Sequence, residues 1–421
     1  MFGIETRLNS LTRRDMLASL RTGWSSGDTE GLRSNPSNLI RVIPAEEGAW
    51  YRSSACVHLL PVRDTWSGMR RGGFVHTSKP HRLLILGALF AALTLLVACG
   101  GDGDNDASNN GSEPATIKVQ LDWTPNTNHI GIYLALAKGW YEEANLTVDI
   151  LPFVDASPDT LVANGNADIG ISFPANVLYS RAAGLDLISV AAILQRNPTE
   201  LAVLASSEIL SPKDFDGKTY AGFGLPYEEP QIRTVVIQDG GTGEFDVATL
   251  NTFAYEALFN GDADFTEIFT TWEGIEAKLR GIDLRTFRYD EFGMPDFHGV
   301  ILVAQAEALS GEKASAIRRF LEVTQRAYEF AAENPDTASQ EFMTYLPDTF
   351  PEPDLVIDST QQLTSYFVES GERWGVQDGD SWSAYAAWFV DQGLVIDGDD
   401  KVIEDLSYLG TLFSNELLTE D

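Results

Sequence analysis

The sequence predicts an α/β protein, and three observations carry that expectation. Short apolar runs recur at residues 117–121, 146–150, 167–172, 187–194 and 201–204. Segments with helical spacing and capping residues lie between them, and a second alternating series continues from about residue 219 to 303. Strands that alternate with helices pack as a mostly parallel sheet with helices on its faces. At roughly 100 to 200 residues per unit, the 421 residues leave room for two or three units.

The first strand carries Ile117, Val119 and Leu121 on one face and ends at Asp122. Residues 122–129 then form a loop at the carboxyl end of a strand, where open α/β sheets place their ligands. In that loop Trp123 offers an indole to stack on, Asp122 a carboxylate, Asn126 and Asn128 carboxamides, and His129 an imidazole. Such a set suits a flat, polar small molecule. The same residues also suit a capped turn with Trp123 in the core, and the residues alone leave both open. A helix is expected over 129–144, with Ile132, Leu134, Leu136 and Trp140 apolar, followed by a strand bearing Leu146, Val148 and Ile150. Ser157, Pro158 and Asp159 supply an N-cap, a first-turn proline and a first-turn acid for the next helix. The strand at 167–172 leads into Phe173-Pro174-Ala175-Asn176, a second strand-to-helix loop with an aromatic ring and a carboxamide.

Strands at 187–194 and 201–204 precede a change of lobe. A capped turn at 211–215 and a strand at 219–224 lead to a third loop, Leu225 to Pro230, with Tyr227 and Glu229 as candidate binding groups and Pro230 at a helix start. A carboxylate at Glu229 is favoured by the helix N-terminus, typically by roughly 0.3 to 1 kcal/mol. It is placed to accept from a ligand amino group, with a plain capping acid as the other reading. Trp272 and Glu273 border the same region, with the core as the alternative for Trp272. The loop at 290–298 holds Asp296, Phe297 and His298, and a buried strand at 299–303 returns to the first lobe. Ser310 caps a helix that runs to Asn334, Pro335 begins the next, and segments 361–372 and 381–391 are helical, with Trp and Tyr as packing residues.

The formal charge is -33, and the excess of acid falls on the part after Cys99, because the residues before it carry more base than acid. Such a surface repels nucleic acid and anionic headgroups, which excludes both as partners. The only cysteines, Cys56 and Cys99, allow no disulfide framework or multi-thiol metal site. His129 and His298, the two histidines after Cys99, make too thin a ligand set for zinc, and no metal is expected. Residues 83–98 are uncharged and follow Arg70, Arg71, Lys79 and Arg82. This is the layout of a signal peptide and is short of the about 20 residues of a membrane span. The run ends in Leu96-Val97-Ala98-Cys99-Gly100, which resembles the lipobox of bacterial lipoproteins and implies lipidation at Cys99. Residues 99–114 are a Gly/Asp/Asn/Ser tether. Residues 1–68 show no sustained periodicity and no apolar run of their own, and Arg13-Arg14-Asp15 lacks the apolar stretch of a twin-arginine signal. Translation is expected to start at Met69, with 1–68 a gene-start error or disordered extension.

Taken together, LDWTPNTNH (121–129), KGWYEE (138–143), GNADIGIS (165–172), YEEP (227–230) and FGMPDF (292–297) resemble the substrate-binding proteins of ABC transporters, in the branch that binds thiamine pyrimidine precursors. That branch is similar in fold to thiamine pyrimidine synthase and to sulfonate- and nitrate-binding proteins. The resemblance implies a type II periplasmic-binding-protein fold: two α/β lobes, a hinge and a ligand cleft, with crossover strands near 201–205 and 299–303. It divides the chain into a signal peptide (69–98), the tether, lobe 1 (115–205), lobe 2 (206–297), and a return to lobe 1 with C-terminal helices (298–421). It also implies a monomeric receptor, lipid-anchored on the outer face of the cell membrane, that delivers its ligand to an ABC permease. Stacking by Trp123, Phe173, Tyr227 or Phe297, with hydrogen bonds from Asp122, Asn126, Asn176, Glu229 and Asp296, suits a neutral aminopyrimidine. The synthase is the rival reading. It holds pyridoxal phosphate on a lysine whose place here is Ser172, with a histidine at the place of Asn176, and has a cysteine-rich stretch where 290–298 has none. No cofactor and no enzyme activity are therefore expected. A sulfonate or nitrate receptor calls for cationic groups that the site loops lack.

Overall fold

A computed structural model of the chain describes residues 113–418, apart from 153, 155 and 370–372. The expected signal peptide, Cys99 and the tether up to residue 112 lie outside the described residues. No helix among the described residues is long and apolar enough to cross a membrane.

Two five-stranded sheets organise the chain. The first is built from β1 (Ala115–Gln120), β2 (Leu146–Leu151), β3 (Ile169–Ser172), β4 (Leu187–Ala192) and β10 (Ile301–Gln305), in the order β2-β1-β3-β10-β4. β1 is parallel to β2 and β3, whereas β10 runs antiparallel to β3 and β4. The second holds β5 (Thr199–Leu204), β6 (Thr219–Gly222), β7 (Asp246–Thr249), β8 (Phe265–Phe269) and β9 (Leu284–Arg288), in the order β7-β6-β8-β5-β9. The two orders repeat one topology. The parallel strands come from strand–helix–strand units, and one strand of each sheet enters antiparallel where the chain crosses over.

The strand at 201–204 belongs to the second sheet rather than closing the first lobe as expected: β5 pairs with β8 and β9. The chain has already crossed at 193–198 and crosses back at 289–300. The helix expected over 129–144 occurs in two pieces, α1 (Ile130–Ala137) and α2 (Trp140–Glu143), because Gly139 takes a left-handed φ of 69° between them. α3 (Pro158–Ala163) and α4 (Pro174–Ala182) follow β2 and β3, each with proline in its first turn, where no amide hydrogen is needed. α5 (Glu228–Gln238) starts two residues before the expected Pro230. α6 (Ala254–Phe259) and α7 (Glu273–Leu279) complete the second unit.

α8 (Gly311–Glu333) begins after Ser310 and ends before Asn334, and α9 (Pro335–Tyr345) and α10 (Pro353–Phe367) follow. Phe320, Tyr328, Phe342 and Phe367 from these helices share one buried cluster with Ile117, Val119 and Leu121 of the first sheet. α11 (Gly379–Asp391) packs on lobe 1 through Trp382, which clusters with Val162, Ile301 and Val303, and also reaches the second unit. Its Tyr385 and Phe389 lie in a cluster with Ala175 and Leu178 of α4 and with Ile232, Phe265 and Phe287 of the second unit. Burial drives this placement, since both rings are almost wholly covered there.

Tyr328 fastens α8 to the start of α1. Its ring lies where a Cβ on Gly131 would stand, 2.3 Å from that position, and its hydroxyl donates to the Asn128 carbonyl at 2.6 Å. Gly131→Ala is expected to cost roughly 1 to 3 kcal/mol through overpacking, read as a lowered denaturation midpoint, and to loosen the 121–129 loop that Tyr328 supports.

Candidate functional site

The loops at the carboxyl ends of β3 and β8 come together. The Phe173 ring, which opens α4, meets that of Phe269 at the end of β8 at 6.5 Å, edge to face, and Phe269 packs on the first sheet's core. Lys278 of α7 also reaches Asp358 of α10 at 3.3 Å. The strand ends of the two sheets therefore face each other, as ligand sites of open α/β sheets require.

The first loop is held from below. His129 is fully buried; its Nδ1 accepts from the Asn126 amide at 3.3 Å, so Nε2 carries the proton and donates to Asp122 at 2.7 Å. His129 thus serves as a strut for the Asp122 carboxylate, which stays partly accessible. Asn126 is spent on the loop as well: Oδ1 caps the Asn128 amide at 2.9 Å and Nδ2 donates to the Thr124 carbonyl at 3.2 Å. Trp123 follows this braced pair and is 46 % exposed, which sets aside the core reading of that indole.

In the second loop, Ser172 is buried and donates to Asp159 Oδ2 at 2.8 Å, and Asn176 Nδ2 lies 3.5 Å from Ser172 Oγ. The Asp159 carboxyl is pushed up chiefly by burial, against hydrogen bonds from Ser172 and Ser157. Asp159 was legible in the sequence only as a first-turn acid.

The third loop holds two neighbouring acids in different settings. Glu229 is exposed and paired with Arg233 at 2.7 Å, four residues along α5. Both line a groove of about 440 Å³ with Leu225, Val247 and Thr249. Glu228 is the buried one and gathers the amides of Phe223, Gly224 and Leu225 at 3.0, 3.3 and 3.1 Å. α5 begins at Glu228, so its N-terminal turn points that carboxylate back into the loop.

Tyr227 and Phe297 are engaged by α11. Phe297 stacks on Tyr385 at 4.1 Å, and Tyr227 lies 5.8 Å from Phe389. His298, expected in the site, is buried in the crossover instead. Its Nδ1–H donates to the Gln195 carbonyl at 2.9 Å, and Nε2 accepts the Asp378 amide at 3.0 Å. Burial holds its pKa below the usual histidine range. Asp296 is exposed beside it, accepting from the amides of Phe297 at 2.9 Å and Asn197 at 3.4 Å, and burial of its carboxyl pushes the pKa up.

Two further acids stand out. Glu273, at the start of α7 beside the partly buried Trp272, accepts the Phe269 amide at 3.0 Å; burial first, and then the charge of Glu276, push it up to about 7. Glu267 on β8 is likewise pushed up to about 7 by burial and by Glu228, against a hydrogen bond from the Tyr289 hydroxyl. Glu273 shares the signature of the other loops, an aromatic and an acid where a strand gives way to a helix. Glu267 lies within a strand, where no such signal exists. Among the described residues no group of three or more His, Cys, Asp and Glu is placed to hold a metal.

The NMT1/THI5-like family model matches residues 126–338, half of the chain. The chain belongs to the NMT1/THI5-like family. Among its relatives is a formylaminopyrimidine-binding protein of Halalkalibacterium halodurans, 27 % identical over 311 residues, covering 72 % of this chain and 91 % of that one. Another is the 4-amino-5-hydroxymethyl-2-methylpyrimidine phosphate synthase of Candida albicans, 27 % identical over 269 residues, covering 60 % and 78 %. Of solved structures, the alkanesulfonate-binding protein SsuA of Xanthomonas axonopodis pv. citri, bound to MOPS, superposes with a TM-score of 0.52 at 15 % identity over 72 % of this chain and 99 % of that one. The periplasmic aliphatic sulphonate-binding protein SsuA of Escherichia coli also gives 0.52, at 16 % identity over 69 % and 92 %. The fold is that of the periplasmic binding proteins, as the resemblance implied.

Glu267 and Glu273 are the two strongly raised acids of this region. A carboxyl whose pKa is higher folded than unfolded holds its proton preferentially in the fold, so the stability that each of these two contributes is greatest at low pH and falls as pH rises between about 4.5 and about 7, whereas the depressed His298 contributes in the opposite sense below about 6.5. Thermal melts across that window should show the decline as a difference between the free protein and Glu267→Gln or Glu273→Gln. A profile that stays unchanged in both variants would contradict the assignment.

Proposed function

We propose that this chain is an extracytoplasmic solute receptor that binds a thiamine pyrimidine precursor, of the formylaminopyrimidine or hydroxymethylpyrimidine type, and hands it to an ABC permease. The observation that carries the reading is the exposed Trp123 indole beside a braced Asp122 carboxylate, on the loop at the carboxyl end of β1. An indole supplies a stacking face for a flat ring, and the carboxylates accept from its amino groups. The loops 121–129, 172–176, 223–229, 269–273 and 292–298 contain no Lys or Arg, which disfavours a sulfonate or nitrate. The printed name of the Halalkalibacterium halodurans relative points the same way.

The synthase reading is poorly served by the residues present. Pyridoxal phosphate held as an imine needs an amine, and the position in question is Ser172, whose hydroxyl is committed to Asp159. Asn176 stands where the synthase has histidine, and 290–298 has no cysteine. The groups here do not fit that cofactor.

Calorimetric titration of the purified full chain with formylaminopyrimidine, hydroxymethylpyrimidine, taurine and nitrate tests the reading. A pyrimidine is expected to bind with a Kd of about 1 μM or tighter. Trp123→Ala and Glu273→Ala are each expected to weaken it by about tenfold or more, through lost stacking and a lost acceptor. Binding of taurine with no response to either pyrimidine would overturn the ligand.

Lipidation at Cys99 completes the proposal, since a receptor tethered beside its permease delivers at high effective concentration. Cys99→Ser is expected to move the chain from the membrane fraction to the soluble fraction in bacterial cells and to abolish labelling by a fatty-acid analogue. Retention of both would refute the anchor.

A further inference from the structure

The second loop contains a hydrogen-bonded chain with a fixed direction. Asp159 is 2 % exposed, and its Oδ2 receives the hydroxyls of Ser172 at 2.8 Å and Ser157 at 3.2 Å. A carboxylate oxygen in that position accepts only. The Ser172 hydroxyl hydrogen is therefore spent on Asp159, and what Ser172 Oγ offers on its other side is a lone pair. The neighbour on that side is the Asn176 carboxamide, 3.5 Å away, and only its Nδ2–H can satisfy a lone pair. The amide must then turn its carbonyl oxygen away from Ser172. The acid at the buried end dictates the orientation of the amide.

Resting on the pyrimidine reading above, we propose that Asp159 is a positioning residue that sets the polarity of the Asp159–Ser172–Asn176 chain, so that Asn176 meets the ligand with its carbonyl oxygen and selects an amino-bearing heterocycle over its oxo counterpart. An aminopyrimidine presents an N–H donor to that oxygen. An oxo group in the same place sets two acceptors against each other, and a site built to pair with a donor rejects such an analogue strongly. Asp159 Oδ1, buried and without a protein partner, keeps this corner polar without adding a donor that could reverse the chain.

The test compares the ratio of affinities for 4-amino-5-hydroxymethyl-2-methylpyrimidine and its 4-oxo isostere, measured on the full chain. The wild-type protein is expected to prefer the amino compound by about tenfold or more. Asp159→Asn keeps the shape but introduces a donor, allowing the Ser172 hydroxyl to turn towards Asn176 and the amide to flip, so the ratio is expected to fall by about tenfold. Ser172→Ala cuts the chain, and the ratio is expected to fall again; it provides the answer if Asp159→Asn does not fold. A purely structural role for Asp159 would weaken both ligands equally and leave the ratio alone. Pyrimidine binding with an unchanged ratio in the folded variants overturns this inference and spares the receptor reading. Failure of the wild-type protein to bind either pyrimidine overturns that reading and this inference with it.

Discussion

The double crossing of the chain between its two sheets is the constraint from which the site follows. Because residues 193–198 and 289–300 pass between the same two units, one strand of each sheet must run against its neighbours, and the parallel strands of both sheets end towards the crossing. His298 fastens this crossing: it reaches the first passage through Gln195 and the start of α11 through Asp378, while Ser381 donates to the Asp296 carbonyl at 3.0 Å. Both imidazole nitrogens are occupied in the buried ring. An extra proton would displace the Asp378 amide, which accords with a depressed pKa. The histidine therefore ties the two passages to the start of α11 through both ring nitrogens.

Around the crossing, the acids fall into two groups with different physical states. Glu228 and Asp122 are surrounded by donors: three amides for the first and the His129 imidazole for the second. Burial raises Glu267 and Glu273, against hydrogen bonds from the Tyr289 hydroxyl and the Phe269 amide. The strand-end loops are thus rich in carboxyls and carry no Lys or Arg, a setting that suits a ligand with amino donors better than an anion.

Local pattern made much of the fold legible in the sequence, while pairing and burial did not show. Strand alternation at Ile117, Val119 and Leu121 and capping at Ser310, Asn334 and Pro335 are local signals, and the elements stand where those signals put them. The membership of β5 in the second sheet is a tertiary fact, because an apolar run looks alike in either sheet. The contrast between Glu228 and Glu229 turns on where a helix begins, the least secure feature of a pattern, and a shift of one position about the helix axis separates a buried acid from an exposed one. His129 and His298 stand out in the sequence as the two histidines of candidate loops, but not as braces: that both nitrogens of each buried ring have partners within the fold is a tertiary fact. Asp159 had the opposite fate: a first-turn acid is ordinary in sequence, and only its burial against Ser172 gives it a further part.

Ser172 shows how one position can separate the two chemistries found in this family. At the end of β3, against α3 and α4, the side chain stands next to a buried acid. An amine there would form an ion pair with Asp159 and be available for imine formation, whereas a hydroxyl passes hydrogen-bond polarity from the acid to Asn176. A fold alone does not decide between a synthase and a receptor. In this chain the position holds a hydroxyl with an acceptor on one side and a carboxamide on the other, an arrangement that orders hydrogen-bond polarity and supplies no amine for an imine.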